Sequence, residues 1–351
     1  MHPNNPDNRL DEYKEWVKQV ATRGKGLVDY YVLGDELNLY RWEGPTGNVG
    51  ETRLLYTDTE KKWTPEIYMQ VFTQLSNIIK SIDPDVNVSM FGMGGLDWEY
   101  LHSLFQLGYA DYADGVAANI GNKPEKDIQS FVNKGKEFGP DFKFYSNGVG
   151  YLKAKNTNFY PTNVKGVYED EEQGIEVAKV MFRGFDAEWD VTPYYIVVRQ
   201  WQLADSTFAP HWYGMMGFMD LVLDAYENLT FKHYPAWYSF QTISHIFYSK
   251  SKSKTKPAPF AMDIDEHVDF AKVYKRNNYE CLLVMWNNDD NEQEISITLP
   301  TQKFKYPVQV SLFNYNVLED IDYQLNDKNQ LIMPHVLVGQ TPVIIRLVAK
   351  N

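Results

Sequence analysis

The chain has 351 residues, 44% of them hydrophobic, and a net charge of −13, which gives enough apolar chain for a large core and favours two domains over one. That charge opposes polyanions, and the one dense basic run, Lys250 to Lys256, reads as a solvated linker, so nucleic acid is not an expected partner. No apolar run reaches the roughly 18 residues of a membrane helix, and the single Cys281 excludes an intrachain disulfide framework and any all-cysteine metal site.

Leu10 to Val20 places Tyr13, Trp16, Val17 and Val20 at helical spacing, and Gly24 and Gly26 stop that helix. Leu27 to Leu33 follows as a buried strand ending in Gly34-Asp35-Glu36-Leu37-Asn38. After a polar loop, Tyr40 to Lys62, Thr64-Pro65-Glu66 supplies the cap and first-turn proline of a helix running to Ile82. Val86 to Phe91 is the next strand, and Asp97 caps a helix from Trp98 to Leu107 that Gly108 terminates. Gly115 to Asn119 is a strand, Glu125 to Phe138 a helix, Phe142 to Ser146 a strand, Glu169 to Glu188 a helix and Tyr194 to Trp201 a fifth strand. A helix from Pro235 to Tyr248 closes five strand-to-helix units, the grammar of a parallel sheet with helices outside it.

From Lys250 the pattern changes. Ser-Lys repeats with Pro257 and Pro259 form a linker. Phe270 to Tyr274, Cys281 to Trp286, Glu294 to Leu299, Val308 to Phe313 and Val343 to Val348 then alternate as the strands of an antiparallel sandwich. The expected domains are therefore 1–250, α/β, and 259–351, all β.

Aromatic residues make 15% of the chain, with 25 Tyr, 19 Phe and 9 Trp. Rings at strand ends stack on the C–H faces of sugars while polar neighbours take the hydroxyls, so the composition suits a carbohydrate cleft as well as a tyrosine-rich core. Four segments carry a more specific likeness. Val28 to Asn38, Phe142 to Tyr151, Tyr194 to Asp205 and Lys232 to Phe247 resemble barrel strands four, seven and eight and the last helix of clan-A retaining glycoside hydrolases. His233-Tyr234-Pro235-Ala236-Trp237-Tyr238-Ser239-Phe240 is similar to their lysine-proline-alanine-tyrosine helix start, and a sandwich after the barrel is similar to families 39 and 30. The resemblance implies a (β/α)8 (TIM) barrel, incomplete at about five of its eight units, followed by a β-sandwich.

The resemblance also assigns residues. Glu36 falls where the clan has its general acid/base, at the carboxyl end of a strand, where a partly desolvated carboxyl can protonate a leaving glycosidic oxygen. Asp35 replaces an Asn that donates to the sugar 2-hydroxyl; an ionised Asp only accepts, and it would titrate together with Glu36. The nucleophile's place after strand seven holds Ser146 or Asn147, and Phe144 to Tyr151 contains no carboxylate. Retaining chemistry needs one about 5 Å from the acid, so three substitutes stand open: Glu169, Glu171 or Glu172 reaching in, a substrate acetamido group oriented by Asn147, or Asp97 as an inverting base. Trp201 matches the clan's aromatic floor under the sugar. Asn38, Trp42, Asp97, Asn119, Tyr145, Asp205 and His211 complete the expected substrate-binding set.

None of the seven His has another His or an acid at i+4, and no phosphate loop occurs, so neither a metal nor another cofactor is expected. The first residues resemble the loop after barrel strand three; five strands leave two open edges, for which a partner chain or a missing N-terminal segment completing the barrel is expected. Met1-His2-Pro3-Asn4-Asn5-Pro6 lacks signal-peptide regions, and a secreted or periplasmic place is expected only with residues ahead of it. The functional expectation is hydrolysis of a β-linked oligo- or polysaccharide, with a non-catalytic carbohydrate-binding relative or a truncated fragment as the alternatives.

Overall fold

A computed structural model of the chain describes residues 9–35, 37–38, 63–120, 123–146, 170–187, 189, 219–223, 229–247, 255–289, 291–300 and 304–349. The fold is mixed α/β, with one parallel sheet and several antiparallel ones. Two compact units take up these residues: 9–146 with 182–189, and 170–181 with 219–349.

In the first unit, helix α1 (Leu10–Gly24) leads into strand β1 (Tyr30–Asp35). Helix α2 (Pro65–Ile82), β2 (Asn87–Gly92), α3 (Trp98–Gln106), β3 (Gly115–Ala117), α4 (Glu125–Phe138) and β4 (Lys143–Tyr145) follow. The strands lie parallel in the order β1-β2-β3-β4. The caps act as the sequence expects: Thr64 Oγ1 accepts from the Ile67 amide and Asp97 Oδ1 from the Tyr100 amide. Phe72, Leu75 and Ile79 of α2 are buried, as are Val88, Met90 and Phe91 of β2, a strand shut off from water on both faces.

Two buried tyrosines from the helical layer enter the sheet itself. Tyr68 Oη accepts from the Phe91 amide at 2.9 Å and donates to the Leu33 carbonyl at 3.2 Å, bridging β2 to β1. Tyr109 Oη accepts from the Met90 amide at 2.8 Å and donates to the Gly115 carbonyl at 2.5 Å, bridging β2 to β3. Met90 and Phe91 are consecutive and so point their amides toward opposite neighbours. Each hydroxyl thus bonds one donor of β2 and one acceptor of an adjacent strand, adding a buried side-chain bridge to the ladder.

The sheet is also strongly curled. Its register aligns Val32 through Ser89 and Gly115 with Lys143. A flat sheet would hold β1 and β4 about 14 Å apart, with a further offset of about 13 Å along the strands between Tyr30 and Tyr145. Yet the Tyr30 and Tyr145 rings stack with centroids 4.5 Å apart and planes 7° from parallel. Only tilted strands on a curved wall bring these positions together, the geometry that barrel walls use. Gly115 makes room for the stack, because a Cβ there would meet the Lys143 carbonyl oxygen and lie 2.7 Å from the Tyr145 ring. Among the described residues the four strands do not close on themselves.

The second unit holds α5 (Asp170–Asp186) as far as Met181, a hairpin of β5 (Met219–Leu223) and β6 (Leu229–His233), and α6 (Pro235–Phe247). It continues with the short β7 (Lys256–Pro257) and β8 (Asp263–Ile264), then β9 (Phe270–Asn277), β10 (Glu280–Trp286), β11 (Gln293–Leu299) and β12 (Phe304–Ser311). Last come β13 (Asn314–Asp320), β14 (Gln324–Leu325), β15 (Leu331–Val338) and β16 (Val343–Ala349). A six-stranded sheet, β13-β12-β16-β10-β9-β7, and a four-stranded one, β14-β15-β11-β8, share one apolar core. Leu283, Met285, Ile345 and Leu347 come to it from one sheet, and Ile297, Leu299, Met333 and Val338 from the other.

Strand β10 is buried along its whole length, and helices pack near the strands on either side of it. Phe247 of α6 meets Tyr274 edge-on at 5.3 Å, the His245 ring stacks on Tyr315 at 4.3 Å, and Arg276 Nη2 donates to the His245 carbonyl at 3.3 Å. Helix α5 comes close enough that a Cβ on Gly174 would lie 2.7 Å from the Phe313 ring. Glu280, nearly buried, accepts from Arg276 at 3.1 Å on both oxygens and pairs with Arg346, so its charge is matched on both sides. Helix α6, read from sequence as the last element before residue 250, therefore packs with the antiparallel sheets.

The sequence pattern misses β13, β15 and the β5–β6 hairpin. Strand β13 is a largely exposed edge with no buried stripe to betray it. Strand β15 contains Pro334, which argues against an inner strand, but the register slips there, with Ile295 opposite Val336 and Ile297 opposite Met333, so the proline occupies a bulge. The expected fifth parallel strand, Tyr194 to Trp201, lies outside the described residues.

Tyr68→Phe and Tyr109→Phe are each expected to destabilise the fold by about 1–3 kcal/mol, since each removes two buried hydrogen bonds to the sheet backbone. The check is a lower urea midpoint at unchanged m-value, and unmoved midpoints would refute the bridging role. Burial also raises both phenols above the ordinary value of 10.0. Stability from this source is complete below pH 10.0 and declines as pH rises beyond it, because unfolded phenols ionise first. In an alkaline titration followed by tyrosinate absorbance, a fraction of the tyrosines should ionise only together with unfolding; smooth titration of all of them in the folded chain would contradict this.

Candidate functional site

The curl gathers the carboxyl ends of the parallel strands toward one mouth, formed by Asp35 at the end of β1, Gly92 to Gly94 at the end of β2, Ala118 and Asn119 after β3, and Ser146 after β4. The strand ends are tied there by backbone bonds. Met93 pairs with Ala118, the Asn119 amide donates to the Met93 carbonyl at 2.8 Å, and the Ala118 amide to the Tyr145 carbonyl at 2.9 Å. Asp35 sits in the ladder opposite Gly92.

Asn38 and Asp97 meet at this mouth. Asn38 Nδ2 donates to Asp97 Oδ2 at 3.1 Å, and its Oδ1 accepts from the Gly94 amide at 2.9 Å. Asp97 Oδ1 is meanwhile the cap of α3, accepting from Tyr100 at 3.1 Å. Both carboxylate oxygens of Asp97 thus already serve protein donors, and Asn38 is only 7% exposed. The sequence reading gives both residues to substrate, and names Asp97 as an inverting base; the structure shows them bonded to each other and to the backbone.

Tyr145 is 3% exposed and Ser146 1% exposed. One face of the Tyr145 ring lies on Tyr30, a residue the sequence reading passes over because nothing local announces a contact between the first and fourth strands. Asn119 is half-buried at the end of β3. Glu36, Trp42, Asn147, Trp201, Asp205 and His211 lie outside the described residues, as do Glu169 and the side chain of Asp35. The structure brings together Asn38, Asp97, Asn119, Tyr145 and Ser146 around the ends of β1 to β4.

Glu171 and Glu172, two of the substitute acids, open elsewhere in the second unit onto a cleft of about 650 Å³ with Glu292, Gln309, Phe313 and Glu319. They stand in the first turn of α5, where the helix dipole favours carboxylates. Cys281 is fully buried, and loss of hydration pushes its thiol up to about 12, so it is an inert core residue rather than a nucleophile. Among the described residues no group of His, Cys, Asp and Glu could hold a metal ion, and no helix is long and apolar enough to cross a membrane.

No family model matches the sequence, and no curated protein matches it. Solved structures do match. A family 39 glycoside hydrolase from the gut symbiont Bacteroides cellulosilyticus aligns at a TM-score of 0.62 and 12% identity, covering 99% of this chain and 63% of that one. A GH30 endoxylanase from Clostridium papyrosolvens aligns at 0.56 and 8% identity, over 98% of this chain and 72% of that one. A monomeric beta-xylosidase from Caulobacter crescentus aligns at 0.55 and 11% identity, over 98% and 76%. The chain thus spans 63% of the length of the family 39 hydrolase. At such identities the likeness speaks for architecture alone, and in architecture the chain is glycoside hydrolase-like.

Proposed function

We propose that this chain is a glycoside hydrolase-like protein that acts on a β-linked oligo- or polysaccharide at the mouth of its curled parallel sheet. In this reading the sheet is the wall of an incomplete (β/α)8 barrel and the two antiparallel sheets are its C-terminal β-sandwich. The observation that carries the reading is the extent of the likeness, which takes in 98–99% of the chain across the three hydrolases. Barrel enzymes place their chemistry at the carboxyl ends of the strands. That is where Asp35, Asn38, Asn119 and Ser146 stand.

Glu36 is the proton donor in this reading. It follows the last residue of β1, and a carboxyl group kept protonated by partial desolvation can give its proton to the departing glycosidic oxygen. Trp201 would stack against the sugar ring, and Trp42, Asp205 and His211 would line the substrate. The second carboxylate that glycoside hydrolysis requires is not supplied by β4, which ends in Tyr145 and a buried Ser146.

That missing acid favours a second reading, a carbohydrate-binding relative that keeps the cleft without turnover. The open edge of β1, which has no neighbour of its own beyond β2 among the described residues, further supports a role for a partner chain or additional N-terminal segment that completes the wall.

The decisive assay is a panel of aryl β-glycosides, including β-xylosides, with β-linked polysaccharides. Hydrolysis that falls by at least about 100-fold in Glu36→Gln is expected; sugar binding without turnover would move the assignment to the second reading, and neither binding nor turnover would end both. For the open wall, sedimentation at micromolar concentration is expected to show association. A monodisperse monomer with one cooperative melt would overturn that part.

A further inference from the structure

Position 36 is bracketed in sequence by two tethered neighbours. On one side Asp35 is held in the ladder against Gly92. On the other, Asn38 is clamped by its bonds to the Gly94 amide and to Asp97. Asp97 passes this hold to α3 through its cap on Tyr100. That helix is itself fixed: the Tyr100 ring meets Phe91 edge-on at 5.5 Å, and its hydroxyl donates to the Trp63 carbonyl at 2.9 Å.

We propose that Asn38 is a positioning residue for Glu36, acting through Asp97 rather than through contact with sugar. The inference rests on the reading of Glu36 as proton donor. A donor misplaced by about 1 Å can lose about 100-fold in rate, so holding the positions that flank it in the chain has kinetic weight. The chemistry of the bracket is polarity-matched. An acid at position 38 would face the Asp97 carboxylate across a hydrogen-bond distance and be repelled. An amide at position 97 would turn an N–H toward the N–H of Asn38.

Exchanging the two residues restores the pattern. In the double variant the amide at position 97 still caps Tyr100 through its oxygen and donates to the carboxylate at position 38, which still accepts from Gly94. The experiment therefore compares the full native chain with Asn38→Asp, Asp97→Asn and the double exchange, reading kcat, KM, the pH profile and melting temperature on an aryl β-xyloside. Each single variant is expected to lose about tenfold or more in kcat with KM changed less than about threefold and a displaced pH profile, and the exchange to recover kcat to within about threefold. Single variants that keep native kcat and pH profile on an active native chain overturn the positioning role and leave the Glu36 assignment standing. So does an exchange that restores melting temperature without rate. A native chain that binds sugar without cleaving it, or does neither, removes Glu36 as proton donor and the positioning role with it.

Discussion

Two tyrosine rings 4.5 Å apart join the first strand of the parallel sheet to the fourth, and the layout of the mouth follows from the curvature this contact requires. A flat sheet would spread the carboxyl ends of four strands over about 14 Å. Curling gathers them onto a concave face where loops from different strands can meet. The stack itself contributes only about 0.5–1.5 kcal/mol beyond the area it buries. Its larger consequence is geometric, because the Tyr30 and Tyr145 rings meet across the curled sheet, and Gly115 is bare where the Tyr145 ring passes.

The hydroxyls of Tyr68 and Tyr109 bind into the curved ladder. Each stands between an amide of β2 and a carbonyl of a neighbouring strand and bonds to both. The helices that deliver these rings are thereby fixed to the sheet by hydrogen bonds as well as by apolar packing. The same economy of polar atoms appears at the mouth, where Asn38 and Asp97 use each other, a backbone amide and a helix start.

The second unit is layered differently. Helix α6 packs on Tyr274 and Tyr315 of the six-stranded sheet, the four-stranded sheet shares that sheet's core, and β10 is buried along its length and reads as a continuous apolar run. The Arg276–Glu280–Arg346 group sits at its edge with the carboxylate matched by two guanidinium groups, and Arg276 reaches the end of α6. Arg276, held by Glu280, thereby adds a directional hydrogen bond to the apolar contacts between the helix and the sheet.

Most elements were legible in the sequence because their signals are local. Thr64-Pro65 and Asp97 mark helix starts through the hydrogen bonds their own side chains make, and β2 and β10 declare burial through unbroken apolar runs. Edge strand β13 has no buried face, and Pro334 is tolerated only because a bulge forms around it, so neither could be read from residue pattern. At the candidate site the sequence determined which residue types follow each strand, including the absence of an acid after β4. What tertiary structure alone decided is their use: Asp97 and Asn38 are turned toward each other, and Tyr145 toward Tyr30, by contacts between segments 59 and more residues apart. The first contact exists only once β1 pairs with β2 and the second only once the sheet has curled, and curvature is a property of the whole set of strands rather than of any stretch of chain.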